Sequence, residues 1–263
     1  GTGYIQNNYN YLLKNQEILV SNKTETKHTR ISSFAKNTFQ LKDRLTISTG
    51  VKMDLLMNNS SVYLQPRINF KLKLFTSFHM NGGWGIYNQF IEKALVKDEF
   101  GSKTYFWQTV QANSNDVPKS IHQQLSFVYT KSNLEIFVEG YIKQSSNLTS
   151  YYTDNSNNFE ELNGNSNALG IDFFIKKKFK KHQYLIAYSL GKIDEEMLSK
   201  SSNYLSLAPQ NQFQELKGGL FLSFNKWKFS FTEVIGSGFE NGTFKQASPY
   251  HRFDFAFNYK LLK

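Results

Sequence analysis

The sequence predicts an all-β protein, an antiparallel up-and-down transmembrane β-barrel with about 12 strands in this chain. Three observations lead to this fold class: apolar and polar side chains alternate, short and long connections alternate, and the strands run about 10–12 residues. A side-chain period of two indicates extended strands. Short turns at one rim and long loops at the other are typical of a membrane barrel.

The composition of the 263-residue chain is compatible with one large all-β domain. Hydrophobic residues make up 40% of it and aromatic residues 16%, which argues against disorder. No run of about 18 apolar residues occurs, so no transmembrane helix is predicted. The absence of cysteine excludes disulfides and cysteine-based catalysis or metal sites. The net charge of +10 is scattered over strands and turns, so no nucleic-acid partner is predicted.

The first part of the chain contains five segments with strand character. They are residues 1–13, 30–41, 45–55, 62–73 and 77–90. Residues 14–29 are polar and loop-like, and tight turns occupy residues 42–44 and 74–76. One face of residues 62–73 is entirely apolar: Val62, Leu64, Pro66, Ile68, Phe70 and Leu72. Such a pattern predicts a strand with one face on a membrane or a core.

Residues 120–143 form the clearest hairpin, with two alternating runs around Lys131–Asn133. On the second run, one face carries Leu134, Ile136 and Val138. The opposite face carries Glu135 and Glu139, so we expect the first face toward lipid and the second toward a wet lumen.

Five further segments complete the strand pattern. They are residues 169–176, 184–190, 212–224, 227–236 and 252–260. Short turns are expected at residues 177–182 and 225–226. The longer connections are polar: residues 91–119, with strand character at 105–110, and residues 145–167, 194–211 and 237–249. A soluble sandwich also alternates apolar and polar residues, but its long loops have no reason to occupy every second connection.

Short segments spread along the chain resemble a known family. They are Leu64–Arg67, Trp84–Gln89, Pro118–His122, Glu139–Lys143, Gly170–Lys177, Ala187–Lys192, Ala208–Gln210, Glu215–Lys217 and Tyr250–Asp254. In this order and spacing they resemble the C-terminal half of TonB-dependent outer-membrane receptors. The resemblance implies an outer-membrane transporter that imports a bulky nutrient, such as a siderophore, a cofactor or an oligosaccharide. It also implies that energy comes from TonB acting on a plug domain.

The chain departs from that family in three respects. No plug or TonB-contacting segment is found, and the family barrel has roughly 22 strands. The last residues, Asn258–Lys263, also lack the usual terminal aromatic residue. We therefore expect residues 1–263 to be a single outer-membrane β-barrel segment, without plug or separate soluble domain, from within a longer transporter. Expected partners are the lipid bilayer with lipopolysaccharide, and TonB through the missing plug; a surface-exposed lipoprotein or a larger outer-membrane complex stays open.

The chain shows no catalytic, cofactor or metal signature. His28, His79, His122, His182 and His251 are isolated from one another, without metal-ligand spacing. Gly82–Gly85 precedes no helix and therefore is no phosphate loop. The protein is accordingly predicted not to be an enzyme.

Ligand-binding candidates are polar or aromatic residues of the predicted lumen and extracellular rim. They are Arg67, Trp84, Tyr87, Gln89, Glu135, Glu139, Asp172 and Arg252. The competing interpretation is a hydrated wall cross-linked by its own ion pairs, with Trp84 and Tyr87 in an aromatic girdle at the membrane interface.

Two other functions remain open from the sequence. A self-contained barrel of about 12 strands would be a passive channel, an adhesin or a structural subunit of an envelope complex. A soluble basic β-sandwich that binds nucleic acid or glycan would have to dissolve without detergent.

Overall fold

The computed structural model describes residues 2–12, 23–57, 60–98, 103–109, 117–153, 159–198, 203–207, 211–241, 245–246 and 248–261. Within these residues, no helix is long and apolar enough to cross a membrane. The strands are β1 (Thr2–Leu12), β2 (Lys23–Leu41), β3 (Leu45–Leu56), β4 (Ser61–Phe75), β5 (Phe78–Asn88), β6 (Ile91–Asp98), β7 (Lys103–Thr109), β8 (Lys119–Lys131), β9 (Leu134–Thr153), β10 (Phe159–Phe179), β11 (His182–Leu198), β12 (Asn203–Leu207), β13 (Gln214–Phe224), β14 (Trp227–Gly236), β15 (Glu240–Asn241), β16 (Lys245–Gln246) and β17 (Tyr250–Tyr259).

Twelve strands form a continuous antiparallel wall in the order β1-β2-β3-β4-β5-β8-β9-β10-β11-β13-β14-β17. Each strand hydrogen-bonds to the wall strands before and after it in the chain, which is the predicted up-and-down topology. The predicted number of strands is confirmed. Among the described residues, no pairing joins β1 to β17, so the wall is an open sheet with two edges.

The two faces of the wall differ in chemistry. Directly paired residues share a face, and one such row joins Lys71, Asn81, Ser126, Glu139 and Asp172 across five strands. We call this polar side the inner face. The opposite, outer face carries apolar side chains, including Leu64, Leu125, Ile142, Leu169, Phe173, Phe253 and Phe255.

Burial in the wall is inverted relative to a water-soluble protein. The large apolar side chains of the outer face are exposed, with Leu64 and Phe253 both at 59%. Polar residues of the inner face are buried, including Asp54 at 0% and Gln65 at 2%. Water-soluble monomers expose only small contiguous apolar patches, so an outer face of this composition is typical of a surface that lipid or another protein covers.

The hairpin predicted for residues 120–143 is confirmed. Leu134 pairs with Lys131 across the turn, and Ile136 and Val138 lie on the outer face. Glu135 and Glu139 lie on the inner face, as predicted. Four short turns contain a residue with positive φ other than glycine: Lys42, Ser132, Lys180 and Asn225.

Several predicted strand limits are wrong. β9 and β10 have 20 and 21 residues, so much of the predicted loop 145–167 is strand. β2 starts at Lys23, within the predicted loop 14–29. β11 continues to Leu198 and pairs with β12, within the predicted loop 194–211. The sequence of these extensions is rich in polar residues and does not show the period of two on which the prediction depended.

The predicted irregular loop 91–119 contains an antiparallel hairpin, β6–β7, inserted between β5 and β8. β6 pairs in parallel with the end of β9, where Leu95 lies opposite Ser150. The hydroxyl of Ser150 donates a hydrogen bond to the carbonyl of Leu95 at 3.1 Å. β7 approaches β1 and β2. The hairpin therefore spans from β9 to β2 at the rim that holds the longer connections.

A small apolar cluster lies at the base of this hairpin. Leu56, Phe90 and Val117 are buried together, and Tyr63 packs against them. The rings of Tyr63 and Phe90 meet edge to face, with centroids 5.3 Å apart. We call these four residues the hairpin cluster. With Ala94 of β6, the cluster contains all the buried hydrophobic side chains of the described residues.

Candidate functional site

The inner face next to the hairpin carries a stack of three side chains from three neighbouring strands. The guanidinium carbon of Arg67 on β4 lies 4.5 Å from the ring centroid of Tyr87 on β5. The Tyr87 ring lies 4.6 Å from the ring of His122 on β8. We call Arg67, Tyr87 and His122 the inner patch. A cation against an aromatic face is attracted by the ring quadrupole, which stabilises the stack of Arg67 on Tyr87.

Gly85 makes this stack sterically feasible. It lies between Arg67 and His122 in the register of the three strands. A Cβ at Gly85 would lie 3.0 Å from the Tyr87 hydroxyl and 3.1 Å from Cγ of Arg67. Such distances are tighter than ordinary van der Waals contacts, so glycine allows both side chains to lie flat over the backbone.

The inner patch is cationic and incompletely hydrogen-bonded. Lys143 on β9 is directly opposite His122, which extends the row of basic residues across a fourth strand. Within the described residues, Nε of Arg67 and Nε2 of His122 are buried and have no hydrogen-bond partner. Buried polar atoms are nearly always hydrogen-bonded, so two such unpartnered atoms are an unusual feature of the inner patch.

Two of the predicted ligand residues, Arg67 and Tyr87, are brought together in the inner patch. Gln89 lies close by, where β5 ends, but its side chain donates to the carbonyl of Ile91 at 2.7 Å and so supports the start of the hairpin. Trp84 is opposite Ile68 and Gln123 on the outer face, so the sheet separates it from the patch. Its position fits the competing interpretation, an aromatic residue of the membrane interface.

The other predicted ligand residues lie elsewhere on the inner face. Glu139 and Asp172 are directly paired on β9 and β10, a like-charge arrangement that destabilises a sheet. Glu135 pairs with Lys176 at 3.4 Å. Arg252 donates from Nε to Asp254 at 2.8 Å, on the edge strand β17. Glu135 and Arg252 therefore form ion pairs within the wall, as the interpretation of a cross-linked wall expects.

Sequence reasoning missed the residues that surround the patch. Asp54 and Gln65 are buried and hydrogen-bonded to each other, and His122 was set aside as isolated. A usable signal was present, because Asp54, Gln65 and Arg67 all fall on faces that the alternation predicts to be polar. Only the register between strands shows that they meet.

In the described part of the chain, no group of three or more His, Asp or Glu side chains could hold a metal ion. The arrangement suits binding, because cationic and aromatic groups converge on one face.

Comparison with known proteins identifies solved structures with a similar fold. No protein-family model and no curated protein matches the sequence. Among solved structures, the FrpB iron transporter from Neisseria meningitidis has a TM-score of 0.67 and 9% identity, over 91% of this chain and 39% of that chain. The siderophore receptor PirA from Acinetobacter baumannii has a TM-score of 0.63 and 10% identity, over 95% and 41%. The copper transporter OprC has a TM-score of 0.69 and 12% identity, over 100% and 45%.

These matched proteins are TonB-dependent receptors and transporters of the outer membrane. The fold of this chain is therefore that of a TonB-dependent receptor barrel, as the sequence resemblance predicted. The chain spans about two fifths of the length of the solved structures that it matches.

Proposed function

We propose that this chain forms part of the barrel wall of an outer-membrane transporter of the TonB-dependent receptor type. The observation that carries this proposal is the inverted burial, with exposed Leu64 and Phe253 on the outer face and buried Asp54 and Gln65 on the inner face. Such a wall suits lipid outside and a hydrated lumen inside. The likeness of its fold to iron, siderophore and copper transporters supports the same assignment.

The open sheet favours a wall that is shared with further strands. A self-contained barrel would need hydrogen bonds between β1 and β17, since an unpaired edge in lipid leaves backbone groups unsatisfied. The described residues contain no such pairing. This observation disfavours the alternative of a small barrel that acts as a passive channel, adhesin or structural subunit.

In this proposal the inner patch contacts a bulky imported nutrient. Arg67, His122 and Lys143 present positive charge or N–H donors, and Tyr87 presents aromatic area. Carboxylate or other anionic oxygens are the groups that such donors bind best. The nutrient is thus expected to carry an acidic group, whether it is a siderophore, a cofactor or an oligosaccharide. Import would draw energy from TonB through a plug domain that this chain lacks. The outer face of the wall would contact lipid that includes lipopolysaccharide.

Nutrient-limited growth tests this function. The intact parent protein, with and without Arg67→Ala, would be expressed in a strain lacking it and supplied with ferric siderophores, cobalamin or acidic oligosaccharides. Loss of one hydrogen bond to a charged group costs about 1.5–3 kcal/mol, so the half-saturating concentration should rise about 10- to 100-fold for the transported nutrient. Removal of TonB function should abolish the uptake.

The matched control is Lys71→Ala, which removes a cation from the same strand and the same face, four positions nearer the short turns. Its half-saturating concentration should remain close to that of the unmodified protein. Uptake that is independent of TonB would reject the transporter type, and equal effects of the two substitutions would reject the inner patch as the contact site.

A further inference from the structure

A fully buried carboxylate lies between the inner patch and the β6–β7 hairpin. Asp54, near the end of β3, accepts hydrogen bonds from the hydroxyl of Ser32, from Nζ of Lys52 at 2.8 Å and from Nε2 of Gln65 at 2.5 Å. Nε of Arg30 lies 3.6 Å from Oδ1. A buried charge is tolerated when it is paired and hydrogen-bonded in this way. Its removal would leave the charges of Arg30 and Lys52 without their partner.

Asp54 fixes the orientation of the Gln65 side-chain amide. An ionised carboxylate only accepts hydrogen bonds, so the NH2 group of Gln65 must face Asp54 and its oxygen must face away. That oxygen accepts from Nη2 of Arg67 at 3.4 Å and from the backbone N–H of Asn88 at 3.3 Å. One amide therefore links Asp54 to a residue of the inner patch and to the last residue of β5.

A second path leads from Asp54 to the hairpin cluster. The guanidinium carbon of Arg30, which pairs with Asp54, lies 4.6 Å from the ring centroid of Phe90. Phe90 immediately precedes β6 and belongs to the hairpin cluster. Two chains of contacts therefore connect Asp54 to the start of the hairpin. One runs through Gln65 and Asn88, and the other runs through Arg30 and Phe90.

We propose that Asp54 is a positioning residue that couples the inner patch to the β6–β7 hairpin. Its carboxylate holds Arg67 and the start of the hairpin in one hydrogen-bonded network, so displacement of either is transmitted to the other. A nutrient group that draws Arg67 into the lumen would loosen the bond from Arg67 to Gln65 and thereby change the support of Asn88. This inference rests on the proposed function only in assigning nutrient contact to Arg67.

Hydrogen exchange of the intact parent protein in lipid nanodiscs tests the coupling without a nutrient. Asp54→Asn should accelerate amide exchange in β6 and β7 by about 10-fold or more, because the contacts through Gln65 and through Arg30 at the start of the hairpin are both weakened. Glu215→Gln is the matched control: Glu215 is an inner-face carboxylate that accepts from the Tyr250 hydroxyl at 2.7 Å and pairs with Lys217, on strands distant from the hairpin. It should leave the exchange of β6 and β7 unchanged.

A double variant that moves the carboxylate from position 54 to position 65 distinguishes a positioning role of Asp54 from a simple loss of packing. In the double variant Asp54→Asn with Gln65→Glu, the amide introduced at position 54 can donate to the carboxylate introduced at position 65. That carboxylate can also accept from Arg67 and Asn88 and can pair with Lys52, which is directly opposite position 65. The double variant should restore slow exchange in β6 and β7. Exchange that stays as fast as in Asp54→Asn would overturn the assigned route through Gln65.

A second variant covers the case in which Asp54→Asn does not fold. Gln65→Leu removes the amide link without leaving a buried charge unpaired, and should also accelerate exchange in β6 and β7. Unchanged exchange in Gln65→Leu, or in folded Asp54→Asn, would overturn the proposal. If the exchange results hold while Arg67→Ala leaves nutrient uptake intact, the coupling stands and the assignment of nutrient contact fails.

Discussion

In the barrel wall, Leu64 and Phe253 are exposed while Asp54 and Gln65 are buried. At the base of the β6–β7 hairpin the arrangement is reversed, with the apolar side chains of Leu56, Phe90 and Val117 buried together. The two regions adjoin, since Leu56 is the last residue of a wall strand. The outer face has the composition expected of a surface in contact with lipid, whereas the hairpin cluster buries its apolar side chains against one another.

The sharpest test of this contrast removes the centre of the hairpin cluster. Phe90→Ala should cost about 3–5 kcal/mol of docking free energy, because a large buried side chain is lost and a cavity remains. The loss should appear as faster amide exchange confined to β6 and β7, with the wall unaffected. Phe253→Ala, at an exposed outer-face position, is the control and should leave hairpin exchange unchanged. Unfolding of the whole wall by Phe90→Ala would refute the separation of the two regions.

The second test introduces a charge on each face of one wall strand. Leu125→Arg places a guanidinium on the outer face in the middle of β8, where an arginine facing lipid costs about 2–4 kcal/mol. Gln124→Arg, one residue away on the inner face, should be tolerated. Urea-induced unfolding of the intact parent protein from lipid vesicles measures both variants. Similar stabilities would show that the outer face does not meet lipid.

The third and smallest effect concerns packing of aromatic rings against inner-face glycines. A Cβ at Gly170 would lie 2.5 Å from the hydroxyl of Tyr141 and 2.9 Å from the carbonyl oxygen of Leu190. Gly170→Ala should therefore destabilise the wall by about 1–3 kcal/mol in the same unfolding assay. At Gly140 on the outer face, the nearest atom would be 4.0 Å away, so Gly140→Ala should be neutral or slightly stabilising. An equal loss in both variants would contradict this difference between the two positions.

The wall was predictable from the sequence because each strand there separates two solvents. In residues 62–73 one face is apolar and the other is polar. The sequence shows this directly, because Val62, Leu64 and Ile68 alternate with Gln65 and Arg67. Beyond the rim that asymmetry disappears. The ends of β9 and β10 have polar residues on both faces, and the sequence there resembles a loop. Strand length was therefore underestimated where both faces meet water.

The hairpin and the inner patch depend on contacts that no local pattern records. β6 pairs in parallel with β9, and Leu95 and Ser150 are 55 positions apart. Arg67 and Tyr87 were selected as candidates because of their chemistry. Asp54 was not selected, because its importance comes from its position opposite Ser32 and Tyr63 in the register. Alternation gives the face of a side chain, whereas its neighbours depend on which strands pair and with what offset.

The connection order of the wall also has a consequence for the path of assembly. Most wall pairs join strands that follow one another across a short or moderate loop, so the conformational entropy lost when each pair forms is small. β6 pairs with residues of β9 that lie beyond the last pair of β8 and β9, on the edge of β9 opposite β10. The hairpin therefore covers backbone groups of β9 that β8 leaves unpaired at this rim.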